Sequence, residues 1–258
     1  MKLSRRQFLA FAGLSAAELL VRPRFAVGDT ITDLTLPAVV GTPGRYRLTQ
    51  NYSFNLEDTA ALTILADDVE VDLQGFTIEN SFGATTAAVG VYASNTNRVH
   101  IRNGTVRGFH TGVMIMAAAG GGGALVESLS IEDFTAAGIM ISGASSIVRQ
   151  NSLASSVRST LYCTESGTAA LGIGLVHAAH SRVIDNLISF TNTGPTDLVI
   201  GLYAGQSSDN VIVLDNGITN ADLGVVIDEG IDAYGELRGT TTSGVAVKSF
   251  GGQDLDLI

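Results

Sequence analysis

The segment Val69-Glu70-Val71-Asp72-Leu73-Gln74-Gly75-Phe76-Thr77-Ile78 decides the fold, because a weaker version of it recurs five more times before the C-terminus. It has the pattern of a short strand, a corner and a second strand. Its last apolar residue defines a first column: Ile78, Val106, Ile131, Leu153, Ile188 and Ile218. Five residues before each of these lies a second column: Leu73, Ile101, Val126, Val148, Val183 and Val213. The columns predict strands stacked one over another, with these side chains inside.

A glycine followed by an apolar residue lies after each member of the first column. The pairs are Gly90-Val91, Gly112-Val113, Gly138-Ile139, Gly174-Leu175, Gly201-Leu202 and Gly224-Val225. From each glycine to the next first-column residue the distance is 14 to 19 residues, whereas from a first-column residue to its glycine it varies from 6 to 21. Each coil therefore holds at least two strands, and the variation in length is confined to one corner, as in a parallel β-solenoid.

These repeats resemble the right-handed parallel β-helix proteins, a large group that includes pectin-degrading enzymes. The resemblance extends from about Tyr46 to Ile227 and rests on the segment quoted above and on Val99-His100-Ile101-Arg102-Asn103-Gly104-Thr105-Val106. It implies an all-β fold, a right-handed parallel β-helix of about 7–9 coils preceded by an N-terminal signal helix. It also implies that Asn151, Asn186 and Asn216 are turn asparagines whose amides bond to the coils above and below.

Two other folds fit less well. A left-handed hexapeptide helix needs a strict period, and the coil lengths here are too uneven. An antiparallel sandwich needs tight hairpin turns between equal strands, and these are scarce. The chain then divides into a signal segment (1–26), an N-terminal strand and cap (27–65), the coils (66–230), and a last coil with a C-terminal cap (231–258).

Charged residues on neighbouring strands support the stacking. The register of the apolar columns predicts these neighbours: Glu70 with Arg98, Asp72 with His100, Gln74 with Arg102, Arg102 with Glu127, and Glu127 with Arg149. In stacked parallel strands such neighbours lie about 5 Å apart, where opposite charges attract.

Composition limits the partners. The formal net charge is −10, and removing residues 1–26, which hold five basic residues and one acidic residue, would make it −14. Such acidity excludes nucleic acid and disfavours polyanionic sugars unless a divalent cation bridges them. The single cysteine, Cys163, excludes an internal disulfide, and no apolar run beyond the N-terminus is long enough to span a membrane.

The N-terminus predicts export. Ser4-Arg5-Arg6-Gln7-Phe8-Leu9 resembles the twin-arginine motif, and an apolar stretch follows it to about Val21. The expected location is periplasmic or secreted. The cleavage point is not evident from the sequence, so retention in the membrane by an uncleaved signal stays open.

The longest insertion, 154–173, and the equivalent corner of the next coil are the predicted binding cleft. Their chemistry-bearing residues, together with a nearby histidine, are the candidate catalytic residues: Arg158, Tyr162, Glu165, His177 and Asp197. The alternative is that both loops are surface loops that pack on the solenoid and bind nothing.

Acidic residues on the first repeat are candidates for Ca²⁺, which needs several carboxylate oxygens at one point. They are Asp68, Glu70 and Asp72, next to Asp67. Alternating carboxylates on one strand stand nearly 7 Å apart, and basic neighbours are expected beside them, so the structural alternative is a ladder of ion pairs. No other cofactor is predicted.

One outward patch is apolar. Ile184, Ile212 and Leu214 fall on the outer side of their strands, and a strand apolar on both faces is usually covered on both. The sequence predicts that the long loop or a second subunit covers this patch.

Two functions of different class follow. One is a non-catalytic exported β-helix that binds a polysaccharide or a protein partner at the long-loop corner. The other is a carbohydrate-active enzyme, a polysaccharide lyase or glycoside hydrolase, at the same corner. The Asn-Thr-Asp, Gly-His-Gly and Arg-Ile-Lys segments of the pectin hydrolases are absent from the sequence, so the first hypothesis is preferred.

Overall fold

A computed structural model describes residues 30–156, 170–191, 199–205, 207–227, 237–238 and 241–243. Within this part of the chain, no helix is long and apolar enough to cross a membrane. The strands, in chain order, are β1 (Ile31–Leu34), β2 (Ala38–Val40), β3 (Gly44–Leu48), β4 (Tyr52–Phe54), β5 (Ala60–Ile64), β6 (Val69–Asp72), β7 (Thr77–Asn80), β8 (Val89–Ser94), β9 (Val99–Arg107), β10 (Thr111–Met116), β11 (Leu125–Glu132), β12 (Ala137–Ser142), β13 (Ile147–Arg149), β14 (Ser152–Ser155), β15 (Ala170–Val176), β16 (Arg182–Ile184), β17 (Leu187–Phe190), β18 (Val199–Gly205), β19 (Ile212–Leu214), β20 (Gly217–Thr219), β21 (Leu223–Ile227), β22 (Leu237–Arg238) and β23 (Thr241–Ser243).

The strands stack in parallel on three faces. Sheet 1 contains β1, β3, β6, β13, β16, β19, β22 and the first halves of β9 and β11. Sheet 2 contains β4, β7, β14, β17, β20, β23 and the second halves of β9 and β11. Sheet 3 runs β2-β5-β8-β10-β12-β15-β18-β21. The six coils from β6 to β21 each cross all three sheets, so the predicted all-β right-handed parallel solenoid is confirmed, with about six turns where the sequence predicted about 7–9 coils. The predicted N-terminal signal helix lies outside the described residues.

The first apolar column lies in register along sheet 2, as the sequence predicts. Ile78 is opposite Val106, and the pairing continues without a slip to Ile218. Each member of the column is at most 1% exposed. Because an isolated coil cannot bury these side chains, the stack as a whole forms the core.

The second column is confirmed from Ile101 to Val213 but is wrong at its first member. Val71, not Leu73, lies opposite Ile101 in sheet 1. The corner after β6 contains left-handed Gln74 and Gly75 and is two residues longer than the bend inside β9. Leu73 is buried in that corner, where its Cβ lies 2.4 Å from the position a Cβ on Gly104 would take.

The glycine pattern is also corrected at one coil. Ile139 is opposite Ile173, so Gly172 rather than Gly174 continues the stack. A Cβ on Gly172 would lie 2.6 Å from Ile188 Cγ2 and 2.5 Å from the Gly201 carbonyl oxygen. The stack therefore needs glycine at this place, whereas Gly174 points outward. Gly172 and Gly174 are two residues apart, so aligning either one leaves the alternation of inward and outward side chains unchanged. The sequence pattern therefore did not distinguish them.

The three predicted turn asparagines form a buried ladder at the corner between sheets 1 and 2. Asn151 Nδ2 donates to Asn186 Oδ1 at 2.9 Å, and Asn186 Nδ2 donates to Asn216 Oδ1 at 2.9 Å. Each amide also donates to a carbonyl oxygen of the preceding coil, those of Val126, Val148 and Val183. All three side chains are at most 2% exposed. Their burial is tolerated because these amides form hydrogen bonds with one another and with backbone carbonyl groups.

Candidate functional site

The corner between sheets 2 and 3 carries the variation in coil length that the sequence predicts. Two neighbouring corners are short: residues 108–110 join β9 to β10, and residues 133–136 join β11 to β12. On either side the connections are longer, spanning 81–88 between β7 and β8 and 156–169 between β14 and β15. The two short corners therefore lie side by side between two connections with more residues.

An open cavity of about 260 Å³ lies over these short corners. It is lined by Glu79, Asn80, Ser81, Gly83, Arg107, Gly108, Asp133, Thr135 and Ser156. None of the described residues that line it has an aromatic or aliphatic side chain. We call this cavity the corner cleft. Its walls offer carboxylates, hydroxyl groups and one guanidinium, the groups that form hydrogen bonds with polar ligands.

Arg107 is the central cation of the corner cleft. Its Nη2 donates to Glu79 Oε1 at 2.8 Å, and its Nη1 lies 3.8 Å from Glu132 Oε2. The hydrogen bond to Glu79 and the charges of Glu79, Glu132 and Asp133 raise the pKa of Arg107 above its ordinary value, despite partial burial. The guanidinium is therefore a fixed positive charge, and its side chain remains 40% exposed to a ligand.

Asp133 and Ser156 form the other side of the cleft. Ser156 Oγ donates to Asp133 Oδ1 at 3.0 Å. The backbone of Asp133 is left-handed, with φ at 50°, a conformation that Asp and Asn adopt more readily than most residues. Behind this side, the Nδ1 of His110 is 3.2 Å from Thr135 Oγ1, and burial lowers the pKa of that imidazole. His110 therefore contacts the cleft residue Thr135 as a neutral imidazole at neutral pH.

Arg107 is suited to binding a ligand rather than to removing a proton. A lyase needs a basic residue that can remove a proton, and Arg107, with its raised pKa, is not such a base. Glu79 and Glu132 are opposite neighbours of Arg107 on successive strands, so their backbones are about 10 Å apart. Both carboxylates contact the same guanidinium, which holds them as hydrogen-bond acceptors.

Glu79, Arg107 and Glu132 were not among the candidate site residues predicted from the sequence, although the sequence contains a signal for them. Each follows directly after a member of the first column, where Glu79, Arg107 and Glu132 alternate in charge. Only the structure shows that the corners beyond them are short. Of the five candidate catalytic residues, Arg158, Tyr162, Glu165 and Asp197 lie outside the described residues. Cys163 does as well.

The fifth candidate, His177, lies elsewhere. It is an exposed, left-handed residue in the turn after β15. β15 begins at Ala170, at the end of the long insertion, and runs for seven residues, so about 20 Å of strand separates His177 from that corner. The structure therefore does not bring His177 to the corner cleft.

The candidate calcium ligands contact arginines. Asp68 accepts two hydrogen bonds from Arg98, which lower its pKa. Glu70 lies 3.1 Å from Arg102, and Asp72 lies 2.6 Å from the same guanidinium. Among the described residues, no group of three His, Cys, Asp or Glu side chains is placed to hold a metal ion. These contacts support the ion-pair ladder, and calcium stays a prediction.

The ladder differs from the predicted one at its first step and agrees with it afterwards. Glu70 is opposite His100 and Asp72 is opposite Arg102, rather than Arg98 and His100, because of the longer corner after β6. The predicted pairs of Glu127 with Arg102 and Arg149 are in register. Burial raises the pKa of Glu127, but contacts with Arg149 and His100 outweigh it, and the net shift is downward.

The predicted oligomer patch lies on the outer side of sheet 1. Ile184 is opposite Leu214, and Ile212 is opposite Arg182. The three apolar side chains are half-buried. Whether a second subunit covers them stays a prediction.

Three parallel sheets wound into one solenoid, with a polar cleft at one corner, define a β-solenoid with a candidate ligand-binding site. Residues 61–245 match the model of a family described as "Right handed beta helix region". This match covers most of the chain, so the protein belongs to the right-handed β-helix family. No curated protein and no solved structure matches the chain.

Proposed function

We propose that this protein is an exported β-helix that binds a glycan in the corner cleft. The observation that carries the proposal is the set of polar groups at that cleft: a fixed guanidinium, carboxylates and hydroxyl groups, with no aromatic or aliphatic side chain among the described residues that line it. Sugar hydroxyl groups both donate and accept hydrogen bonds, and such a lining offers partners for both roles. The proposed partner is a polysaccharide or one of its fragments.

The charge of the cleft favours a neutral sugar over a uronate. Among the described residues of the lining, Glu79 and Asp133 outnumber Arg107, and the whole chain carries a formal net charge of −10. An anionic ligand would meet a repulsive field unless a cation accompanied it. The volume, about 260 Å³, is just below the range of ordinary ligand pockets, about 300–1,000 Å³, which suits one or two sugar residues of a longer chain.

Binding is tested by replacing Asp133 with asparagine. Asn tolerates the left-handed backbone but removes the charge that strengthens hydrogen bonds to sugar hydroxyl groups. A hydrogen bond to a charged group contributes about 1.5–3 kcal/mol, so we expect Asp133→Asn to weaken binding by roughly ten- to a hundredfold. The measurement is isothermal titration calorimetry with the best ligand from a panel of neutral and uronate oligosaccharides.

Asp185→Asn is the matched control. Asp185 has the same left-handed backbone, with φ at 55°, is exposed, and lies at the corner between sheets 1 and 2. We expect it to bind as the wild type does. Equal affinity for Asp133→Asn and Asp185→Asn, or no binding of any glycan, contradicts a glycan site at the corner cleft.

The enzyme alternative has one observation in its favour. Glu79 lines the cleft, and Glu79 and Glu132 both contact the Arg107 guanidinium, so two carboxyl groups lie near each other, as glycosidases require. Release of reducing ends, or of unsaturated products, from the bound polysaccharide would support this alternative. A ligand recovered intact supports the binding function.

Export is the second part of the proposal. The twin-arginine signal is an address read by a receptor, so we expect the double variant Arg5→Lys/Arg6→Lys to accumulate in the cytoplasm while the wild type is found outside it. Cell fractionation with immunoblotting measures this. If both proteins occur in the same fraction, this export route is excluded.

A further inference from the structure

The free hydrogen-bonding groups of the corner cleft are mostly acceptors. Ser156 Oγ already donates its proton to Asp133 Oδ1 at 3.0 Å, and Ser81 Oγ donates its proton to the Phe54 carbonyl oxygen at 3.0 Å. As bonded here, both hydroxyl oxygens can only accept from a ligand. Asp133 Oδ2 has no hydrogen-bond partner among the described residues, and a carboxylate is also an acceptor only. These groups fit a ligand that brings its own protons.

The corner cleft also holds more negative charge than its own cation balances. The Arg107 guanidinium donates to Glu79 at 2.8 Å and lies 3.8 Å from Glu132, so two carboxylates already share its charge. Asp133 is a third carboxylate near this guanidinium, and among the described residues it forms no ion pair. Glu79 and Asp133 are half-buried, and a concave site lined by one sign of charge strengthens the local field.

No other described residue supplies a compensating positive charge. The described part of the chain has no lysine, and each of its arginines other than Arg107 belongs to sheet 1 or to the corner before it. The connection 81–88, on the other side of the cleft, has no basic residue. His110, which contacts Thr135, is neutral at neutral pH because burial lowers its pKa. The excess negative charge is therefore left for a ligand to balance.

We propose that the glycan in the corner cleft contains amino sugars with free amino groups, and that an ammonium group of the sugar binds Asp133. This proposal rests on the proposed glycan-binding function and names the class of sugar. An ammonium group has three donors and no acceptor, which matches the acceptors left in the cleft. Its charge balances Asp133, and a hydrogen bond with an ionised partner is roughly twice as strong as one between neutral groups. The hydroxyl groups of the sugar accept from Arg107.

The experiment compares two ligands that differ only at the nitrogen atom. Oligosaccharides of glucosamine and of N-acetylglucosamine, equal in length and linkage, are titrated into the protein by calorimetry at low salt and below the pKa of the sugar amine. We expect the free amine to bind roughly ten- to a hundredfold more tightly, the factor that a hydrogen bond to a charged group contributes. In Asp133→Asn, which tolerates the left-handed backbone, the two ligands should bind about equally.

Salt and pH separate the charge of the sugar from its shape. The preference for the free amine should shrink in about 1 M sodium chloride, where the screening length falls to about 3 Å, whereas binding of the N-acetylated ligand should change little. The preference should also disappear as the pH rises through the pKa of the sugar amine, because the neutral amine has no charge to balance Asp133. Asp185→Asn, at an exposed left-handed position, should retain the preference in full.

The outcomes distinguish this proposal from the proposed function. Equal affinity of the wild type for both ligands overturns the free-amine proposal and leaves glycan binding in place. A preference that Asp133→Asn retains in full overturns it as well, since another part of this acidic protein would then attract the amine. Trilysine that binds as tightly as the glucosamine ligand also overturns it, because the cleft would then recognise positive charge without the sugar. Failure of every glycan to bind contradicts both.

Discussion

Val148→Asp is expected to prevent folding. Val148 is fully buried and is stacked between Val126 and Val183 in sheet 1. In this apolar column an aspartate has no cationic partner, and the cost of burying it is several kcal/mol. The free energy of unfolding of a whole domain is only about 5–15 kcal/mol. The measurement is circular dichroism with thermal and urea denaturation, and we expect loss of the cooperative transition.

Ile147→Asp is the control that isolates the direction of the side chain. Ile147 precedes Val148 on the same short strand, is half-buried and points outward, so its carboxylate would reach water. We expect a folded protein with a melting temperature close to that of the wild type. A normal transition for Val148→Asp, or equal damage from both variants, would contradict the alternation of faces from which the core is inferred.

The stacked columns could be predicted from the sequence because every coil has an apolar face that only the neighbouring coils can bury. Ile131 and Leu153, for example, follow the same corner and occupy the same layer. The prediction was wrong where two alternative alignments of a strand both preserve the alternation of inward and outward side chains. Leu73 and Val71 are two residues apart, as are Gly172 and Gly174, and a pattern of period two does not distinguish them. Corner length decides the first case, and the close approach to Ile188 decides the second.

The candidate site was predicted only at the level of the corner. Sequence spacing correctly indicated that coil length varies at one corner, but it predicted the binding cleft at the longest insertion. The corner cleft lies instead over two short connections, beside Arg107 and Asp133. Whether a cavity forms depends on the difference in length between neighbouring corners, and the sequence alone does not show which corners are neighbours. Charge alternation through Glu79, Arg107 and Glu132 was visible in advance, but only paired strands make these residues neighbours.

Asn186→Asp replaces one buried amide group with a carboxyl group, and we expect it to destabilise the protein. Asn186 Nδ2 donates to the carbonyl oxygens of Val148 and Ile184 and to Asn216 Oδ1. Aspartate replaces this donor with a second acceptor, so buried oxygen atoms face each other without a proton. Leaving an uncompensated charge in a buried site costs about 3–5 kcal/mol. We expect a corresponding fall in the free energy of unfolding at neutral pH, measured by urea denaturation.

The pH dependence of this deficit distinguishes lost hydrogen bonds from general misfolding. Burial and the facing oxygen atoms raise the pKa of the new carboxyl group above its value in the unfolded chain. The deficit relative to the wild type is therefore complete above the folded-state pKa and shrinks as the pH falls through it, because the protonated carboxyl group again donates one hydrogen bond. Asn95→Asp, at an exposed left-handed position, is expected to show no deficit at either pH. If the deficit of Asn186→Asp grows in acid, the amide ladder does not stabilise this corner through the donors assigned to it.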